Sequence, residues 1–285
     1  MATMRALCAT PRLTIHDITC RAARSGAGAL RGGESTHVVF VRRGAFAMHV
    51  GPRRSIADPC TAALSWQGSE YRVSHPGDAG DDGTVLELDD ELARELLGHL
   101  RPHRDVEVRL TPRVQAAYAG FLALLRRWRG DVLACEEAAL DLARLSVGSV
   151  LARSAVTRGS CRAVALAARE LLNDEPAVNR SVTALAAAIG CSPGHLMHAF
   201  RAETGTTLRR YRLQLRVAAA LHRLAAGHDD LAGLAAELGF ASHAHLSDTL
   251  SRLLGVAPRE VRAGLARADR AWVRRFLEAG AVDRV

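Results

Sequence analysis

The spacing of apolar residues changes along the chain. In the N-terminal part, short β-branched or alternating runs are separated by Gly, Pro and Asp, which is typical of strands joined by turns. The predicted strands are Val38–Arg42, Phe46–Val50, Thr61–Trp66, Glu70–Ser74 and Thr84–Leu88. Several short strands at this spacing predict a small β-barrel or jelly roll over residues 1–110.

After this region the apolar residues recur at helical spacing. Over residues 111–156 the pattern predicts a helical hairpin with helices Val114–Trp128 and Cys135–Arg153. The second helix carries an apolar stripe formed by Leu140, Ala143, Val147 and Val150. Such a stripe either contacts a partner chain or packs onto the barrel.

The last third of the chain contains an internal repeat. The segment LAAAIG, which ends at Gly190, returns as LAAELG, which ends at Gly239. Three residues that follow the first glycine also return after the second, so that Ser192, His195 and Leu196 correspond to Ser242, His245 and Leu246. A helix that ends at a glycine turn, followed by a helix that begins at Ser, is the order of a helix-turn-helix. The repeat therefore predicts two such units.

The second helix of each unit has an apolar face and a polar face. Leu196 and Phe200 are predicted to pack inward in the first unit, and Leu246, Leu250 and Leu253 in the second. The polar faces suit the major groove of DNA. The candidate DNA-binding residues of these helices are Gly194, His195, Met197, His198, Arg201, Ser242, His243, Ser247, Asp248 and Arg252.

One helix, from about Thr207 to Ala226, is predicted to connect the two units. Its length of roughly 30 Å is close to the roughly 34 Å between successive major-groove faces on one side of a duplex. Arginines crowd its start, and Arg212 and Arg216 are predicted to anchor phosphates together with Arg201 and Arg252.

These residues resemble the AraC/XylS family of transcriptional regulators over about Cys161 to Arg267. The most specific part is Gly239-Phe240 followed by Gly255-Val256-Ala257-Pro258 and Arg262. The first unit and the connecting helix match through Ser192-Pro193, Leu196, Phe200, Glu203-Thr204-Gly205-Thr206, Tyr211 and Arg216. The resemblance implies an all-α domain of two helix-turn-helix units at residues 161–270, behind a cupin-like sensor domain.

The same resemblance implies the partners of the protein. They are double-stranded operator or promoter DNA, RNA polymerase, a small-molecule effector and a second copy of the chain in a homodimer, with the hairpin helices as the dimer contact. The expected function is that of a one-component transcription regulator, an activator or a repressor, whose sensor domain controls its DNA-binding domain.

Two positions depart from the family pattern, which usually has a basic residue in each recognition helix. Here they are His198 and Asp248. His198 can read a base through one hydrogen bond, but it attracts phosphates less than Arg does. Asp248 either accepts a hydrogen bond from cytosine N4 or pairs with Arg252 one helical turn later, and we favour the pairing.

Composition supports a nucleic-acid partner and points to no chemistry of catalysis. The 285 residues carry a net charge of +8, and all the basic residues apart from His are Arg. The six cysteines are scattered without a C-x-x-C pair, so neither disulfides nor a zinc site is predicted. We find neither a signal peptide nor a membrane span, and expect a cytoplasmic protein.

The N-terminal domain lacks the ligand pattern of cupin enzymes. Such enzymes hold a metal with a His-x-His pair, a nearby Glu and a distant His, and this grouping is absent. We therefore predict no catalytic residue, no metal and no cofactor. Arg42, Phe46, Trp66, Tyr71 and His75 either line an effector pocket at the mouth of the barrel or are ordinary core and rim residues.

The predicted architecture is thus α+β and multidomain. A linker is expected at residues 157–160 and a C-terminal tail at residues 271–285. Two alternatives belong to other functional classes. One is a cupin-type enzyme with a DNA-binding appendage, and the other is a helical repeat that binds proteins instead of DNA.

Overall fold

Two antiparallel sheets form the N-terminal part of the protein. The structure is a computed structural model that describes residues 2–78, 80–98, 106–127, 131–147 and 159–279. In chain order the strands are β1 (Ala2–Ala9), β2 (Leu13–Cys20), β3 (Arg31–Gly32), β4 (Thr36–Gly44), β5 (Phe46–Val50), β6 (Arg53–Ala57), β7 (Thr61–Ser65), β8 (Glu70–Ser74), β9 (Asp81–Leu88) and β10 (Val106–Arg109). In these residues, one sheet has the order β1-β2-β9-β4-β7-β10 and the other β3-β8-β5-β6.

The jelly-roll prediction is confirmed, although several of the observed strands were not predicted. β5 and β8 have the predicted bounds, and β4, β7 and β9 overlap their predictions. β1 is a largely exposed strand, so burial imposes no apolar alternation on its sequence. β2 buries Leu13 and Ile15 but places polar residues between and after them, which gives it the composition of a loop.

The two sheets enclose a small apolar cluster, and the larger sheet covers a second one with its outer face. The inner cluster contains Val41, Phe46, Met48, Ala57 and Ala63, which come from both sheets. On the outer face, Phe40 and Leu86 are fully buried under helices that follow in the sequence. The sandwich is therefore one wall of a larger core.

Helices make up most of the rest of the chain. They are α1 (Asp90–Leu97), α2 (Pro112–Arg127), α3 (Val132–Val147), α4 (Gly159–Asp174), α5 (Val182–Ile189), α6 (Pro193–Thr204), α7 (Leu208–Ala225), α8 (Leu231–Glu237), α9 (His243–Leu254), α10 (Pro258–Ala266) and α11 (Arg270–Ala279). Among the helices that the structure describes, none is long and apolar enough to cross a membrane.

The predicted hairpin corresponds to α2 and α3. Ala143 is completely buried and Leu140 packs against the core of its own chain, so this part of the apolar stripe faces inward. The side chain of Val147 and all of Val150 lie outside the described residues, as do the predicted helix ends at Trp128 and Arg153. Intrachain packing therefore covers Ala143 completely and Leu140 in part.

The last two predicted boundaries also differ from the structure. Of the predicted linker, Gly159 and Ser160 already belong to α4, and the first two residues lie outside the description. The segment expected to be a tail is helical up to Ala279. Its Phe276 is buried, and Arg270 forms ion pairs with Glu137 and Asp141 of α3 at 2.6 and 2.8 Å. This amphipathic helix closes the hairpin core.

A buried polar network joins the sandwich to α4 and α7. Asp58, which lies between β6 and β7, is fully buried and accepts hydrogen bonds from Arg169 of α4, at 2.8 and 3.1 Å, and from the hydroxyl group of Tyr211 of α7. Arg169 also donates to the carbonyl of Ile56 at 2.6 Å and to Thr61 at 2.9 Å. Every one of these contacts crosses between the N-terminal sandwich and the C-terminal helices.

The electrostatics of this network favour its paired form. Burial disfavours the charge of Arg169, but the nearby Asp58, Tyr211 and Glu107 outweigh it and raise the pKa of the guanidinium well above its usual value. Burial and the Asp58 carboxylate raise the pKa of Tyr211 well above the usual value, so its hydroxyl group keeps the proton that it donates. The network therefore fixes α4 and α7 against the sandwich.

A second contact, between α7 and α2, places a partly buried histidine among cations. The ring of His222 on α7 lies edge-on to Tyr118 of α2, with 5.0 Å between ring centroids. Burial, reinforced by the charges of Arg42 and Arg126, lowers the pKa of His222 from 6.5 to about 3. His222 is therefore neutral in the folded protein at every pH above about 3.

This histidine should make the fold sensitive to mild acid. Below pH 6.5 the unfolded chain binds a proton at His222, whereas the folded chain does not. The free energy of unfolding therefore falls as the pH drops from 6.5 towards 3. Between pH 7.5 and 5.5 we expect the wild type to lose about 1 kcal/mol more than His222→Gln. Urea unfolding at the two pH values measures this difference, and equal losses in both proteins would contradict it.

Candidate nucleic-acid interface

The first helix-turn-helix unit consists of α5, a tight turn and α6. Gly190 ends α5 in the left-handed conformation, with φ of 79°. The Ser192 side chain then caps α6 by accepting a hydrogen bond from the backbone N–H of His195 at 3.2 Å, and Pro193 occupies the first helical position. These local signals set the angle between the two helices and confirm the predicted unit.

The two faces of α6 are divided as predicted. Leu196, Ala199 and Phe200 are completely buried, and the Phe200 ring packs against Tyr211 at a centroid distance of 5.3 Å. The candidate DNA-binding residues of this helix, all of which are exposed, are Gly194, His195, Met197, His198 and Arg201. Met197 is 53% exposed, which is unusual for a large apolar side chain. The exposed face is therefore available to a partner.

The second unit repeats this construction with α8, a turn and α9. Gly239 is left-handed with φ of 74°, and Ser242 caps α9 through the N–H of His245 at 3.1 Å. Leu246 and Leu250 face inward as predicted, whereas Leu253 is only partly buried and Leu254 takes its place in the core. The candidate residues Ser242, His243, Asp248 and Arg252 are exposed, and Ser247 is partly buried.

The favoured pairing of Asp248 with Arg252 is not what the structure shows. The ion pairs of the described residues include none between these two side chains, both of which are exposed. A hydrogen bond from a cytosine amino group to Asp248 stays a prediction. His243 lies 3.4 Å from the Ser247 hydroxyl group, so these two side chains share one polar surface.

Arg216, predicted to anchor a phosphate, has a structural role instead. It is 6% exposed, and its guanidinium donates to the carbonyls of Pro176, Ala177 and Gly239 at 2.7–2.9 Å. Arg216 thus joins the segment before α5 to the turn of the second unit. The prediction was wrong because the sequence does not reveal that uncapped carbonyls converge on this side chain.

Arg212 is partly committed in the same way. It donates to the carbonyl of Arg180 at 2.8 Å and is partly buried. Burial lowers the pKa of Arg212, although an arginine remains charged under all ordinary conditions. Its charge still contributes to the field of the surface beside it.

A groove lined by arginines lies between α7 and the second unit. It has a volume of about 830 Å³ and contains no acidic residue among its described lining. We name it the arginine groove, and its basic side chains are Arg209, Arg210, Arg212, Arg216 and Arg252. Arg209, Arg210 and Arg252 are exposed. Exposed arginines are the side chains that contact phosphates in many protein–DNA complexes.

Arg209 and Arg210 were missing from the predicted site. Their exposure could nevertheless have been predicted. Thr207 caps α7 by accepting a hydrogen bond from the N–H of Arg210, and Leu208 and Tyr211 in the first turn are buried. Residues between two inward positions of a first helical turn point outward. Combining the cap with the apolar spacing would have placed both arginines on the surface.

A comparison with protein families identifies this architecture. Residues 185–264 match a family described as a helix-turn-helix domain of the AraC type. The chain carries an AraC-type DNA-binding domain. The match spans α5 to α10 and includes both units, so it assigns the C-terminal part of the chain to DNA binding in transcription regulation.

Solved structures similar to the chain include regulators and cupin domains. ToxT from Vibrio cholerae is 11% identical with a TM-score of 0.34, covering 89% of this chain and 97% of that one. The AraC-like transcriptional activator CuxR is 16% identical with a TM-score of 0.39, covering 74% and 79%. A cupin domain from Bordetella pertussis is 14% identical with a TM-score of 0.27, covering 31% and 93%. No curated protein matches the chain in sequence.

In front of the AraC-type domain, the five predicted effector residues do not meet at one site. Phe46 and Tyr71 belong to the inner cluster of the sandwich, whereas Trp66 packs in the outer core. Arg42 forms an ion pair with Asp17 at 2.6 Å. His75 lies 3.0 Å from Asp81 at the end of the larger sheet. The structure therefore does not bring these five residues together on one surface.

A different polar group lies on the inner face of the sandwich. His16 and Glu87 are 2.8 Å apart, and Ser35 donates to Glu87 at 2.6 Å. His37 is paired with Glu87 across the strands and lies 3.4 Å from the hydroxyl group of Tyr71. Burial lowers the pKa of His37 and keeps its ring neutral. Sequence reasoning missed this set because its members come from four separate segments.

Proposed function

We propose that the protein is a one-component transcription regulator that binds operator DNA through both helix-turn-helix units. Its N-terminal sandwich serves as the sensor for a small molecule. The observation that carries this proposal is the repeat of two capped, glycine-turned units whose exposed polar helices flank the arginine groove. The protein-binding alternative explains the helices but not the concentration of exposed arginines without acidic neighbours.

Base readout and phosphate contact fall to different residues. Met197 and His198 on α6, and His243 and Ser247 on α9, lie on exposed or partly exposed surfaces at the starts of their helices. Arg201, Arg209, Arg210 and Arg252 contact phosphates, while Arg216 supports the turn beneath them. This assignment revises the arginine set predicted from the sequence.

The sensor acts on the DNA-binding domain through the buried contacts between them. α4 and α7 are held to the sandwich by Asp58, and α7 is also held to α2 through His222. An effector bound to the inner-face polar group around Glu87 would alter the stability of the sandwich, to which these contacts attach α4 and α7. The effector can change DNA affinity by no more than the ratio of its own affinities for the arrangement of domains that binds DNA and for the arrangement that does not.

Homodimers and contacts with RNA polymerase are part of the proposal. In the described part of the α3 stripe, Ala143 is buried and Leu140 is partly buried within their own chain, so we propose that a dimer uses another surface. Exposed apolar residues elsewhere include Met4 and Leu7 on β1, and Val132 and Leu133 at the start of α3. Sedimentation of the chain with and without operator DNA measures whether one or two copies bind.

Selection from a random duplex library tests the proposed function directly. The full chain is required, because α9 and α10 pack against α2 and a C-terminal fragment would expose that surface. We expect a motif with two elements about one helical turn apart. Loss of every enriched motif at near-physiological salt would overturn DNA binding as the function.

His198→Ala in the same selection separates base readout from general affinity. We expect the variant to lose preference at one base step while the rest of the motif persists, because His198 is exposed on the helix that enters the groove. His228→Ala, which changes an exposed histidine outside both recognition helices, is the control. An unchanged motif with His198→Ala would remove this residue from base recognition.

Arg209→Ala should weaken binding to all sequences by a similar factor. The side chain is exposed in the arginine groove and makes one phosphate contact in the proposed complex, so the slope of log affinity against log salt should fall by about 1. Fluorescence anisotropy at several salt concentrations measures the slope. Arg267→Ala, at an exposed arginine after α10, should leave it unchanged. A sequence-dependent loss with Arg209→Ala would contradict a phosphate role.

A further inference from the structure

Three potential metal ligands from separate segments meet at one end of the larger sheet. Cys20 is the last residue of β2, Asp81 is the first residue of β9, and the two are direct partners across these antiparallel strands. His75 directly follows β8, and an isolated β-bridge joins it to Ser25, five residues after Cys20. The donor atoms of the three side chains all lie within 4.8 Å of one another.

Two neighbouring carboxylates at this end of the sheet have different surroundings. Asp82 points to Arg21 and Arg43, whose nitrogens lie 2.9 and 2.8 Å from its oxygens. Asp81 is 5% exposed, and its Oδ1 has no partner with hydrogen-bond geometry among the described residues. This Oδ1 lies 3.0 Å from Nε2 of His75.

The histidine is oriented as a metal ligand requires. The Ser25 hydroxyl group lies 3.4 Å from Nδ1 of His75, and the Ser25 N–H donates to the His75 carbonyl at 2.9 Å. These contacts leave Nε2 directed towards Asp81 and Cys20. A hydrogen-bond partner on the opposite ring nitrogen is the usual second-shell arrangement of a ligating histidine.

We propose that Cys20, His75 and Asp81 bind a single zinc-class divalent cation. Thiolate, imidazole and carboxylate are the ligand types that Zn²⁺ accepts, and three protein ligands leave one of its tetrahedral positions for water or another small ligand. Ligand atoms at about 2.0–2.3 Å from one Zn²⁺ lie about 3.3–4 Å apart, so the present separations require only small side-chain adjustments. Two anionic ligands balance the charge of the cation.

The site was not evident from the sequence. The six cysteines have no zinc-finger spacing, and the three ligands lie 55 and 6 positions apart along the chain. Only the pairing of β2 with β9, together with the bridge between Ser25 and His75, brings them together.

Cobalt and zinc titration of the full-length, reduced and metal-free protein tests the proposal. We expect one Co²⁺ per chain, a near-ultraviolet thiolate-to-cobalt charge-transfer band, and displacement of Co²⁺ by Zn²⁺. Cys20→Ser should abolish the band, and His75→Gln and Asp81→Asn should weaken metal binding at least tenfold. Cys8→Ser, which changes a cysteine of β1 outside the cluster, should leave the spectrum unchanged.

Two controls distinguish metal binding from folding and from DNA binding. Circular dichroism without metal establishes whether each variant is folded. If Cys20→Ser does not fold, Asp81→Asn tests the site in its place, because this substitution removes a buried charge. A folded wild type without a thiolate band, or a band that survives in folded Cys20→Ser, would overturn the proposal. Neither readout involves DNA, so the outcome does not depend on the proposed function.

Discussion

Replacing Arg169 by Met is expected to lower the free energy of unfolding by about 3–5 kcal/mol. The substitution keeps much of the side-chain volume but leaves Asp58 as a fully buried carboxylate without its cation. Tyr211, Asn173 and the N–H of Cys60 still donate to Asp58, but they do not balance its charge. Urea unfolding of the full chain measures the change.

The double variant shows where this energy comes from. Asp58→Asn in the Arg169→Met background removes the orphaned charge, so it should restore a substantial part of the lost stability. Arg223→Ala is the control, because its ion pair with Glu237 at 2.8 Å joins two side chains that are 45% and 55% exposed. Such a pair contributes about 1 kcal/mol or less. A cost below 1 kcal/mol for Arg169→Met would mean that the network is not the main joint between sandwich and helices.

Gly239→Ala should also destabilise the protein strongly, whereas the same change at the equivalent position of the first unit should not. Both Gly239 and Gly190 are left-handed, and such a conformation costs an alanine about 1 kcal/mol or somewhat more. A Cβ at Gly239 would in addition lie 2.2 Å from the carbonyl oxygen of Ala177, while one at Gly190 meets nothing within 4 Å. The total cost at Gly239 is expected to be about 3–4 kcal/mol.

Thermal and urea unfolding of the two variants provide a matched pair. The residue type and the place in the repeat are the same and the backbone angles are similar, so the difference between them isolates the contacts with Ala177 and Arg216. These contacts belong to the same junction that Arg216 holds through Gly239 and Ala177. Equal losses in the two variants would show that the 176–180 segment moves aside easily and that the turn of the second unit is not fixed from outside.

The two predictions together describe a DNA-binding domain with two different supports. Asp58 contacts α4 and α7 next to the first unit, and the second unit packs on α2 through α9 and α10. The first joint is centred on the polar network, with Leu166 of α4 packed beside it against Ala47 and Ile56, and the second is mainly apolar. An effector that loosens the polar joint alone would therefore reorient one unit relative to the sandwich without exposing the larger core.

Local signals allowed most of the helical half to be predicted from the sequence. Ser192 and Ser242 cap their helices, and glycines end the preceding ones, because these preferences depend on backbone groups only a few residues away. The inward positions Leu196, Phe200, Leu246 and Leu250 follow from helical periodicity alone. The strands were harder to predict, since an exposed edge strand such as β1 lacks an apolar face that would reveal it.

The sequence by itself determined the two helix-turn-helix units, their connecting helix and the strand-rich nature of the N-terminal part, because caps, turns and periodicity are local. The tertiary structure alone decided that Arg216 serves the turn of the second unit instead of DNA, and that Arg169 enters the sandwich to meet Asp58. It also decided that Cys20, His75 and Asp81 become neighbours. Each of these outcomes depends on groups distant in sequence, where the cost of burying an unpaired polar group selects the partner.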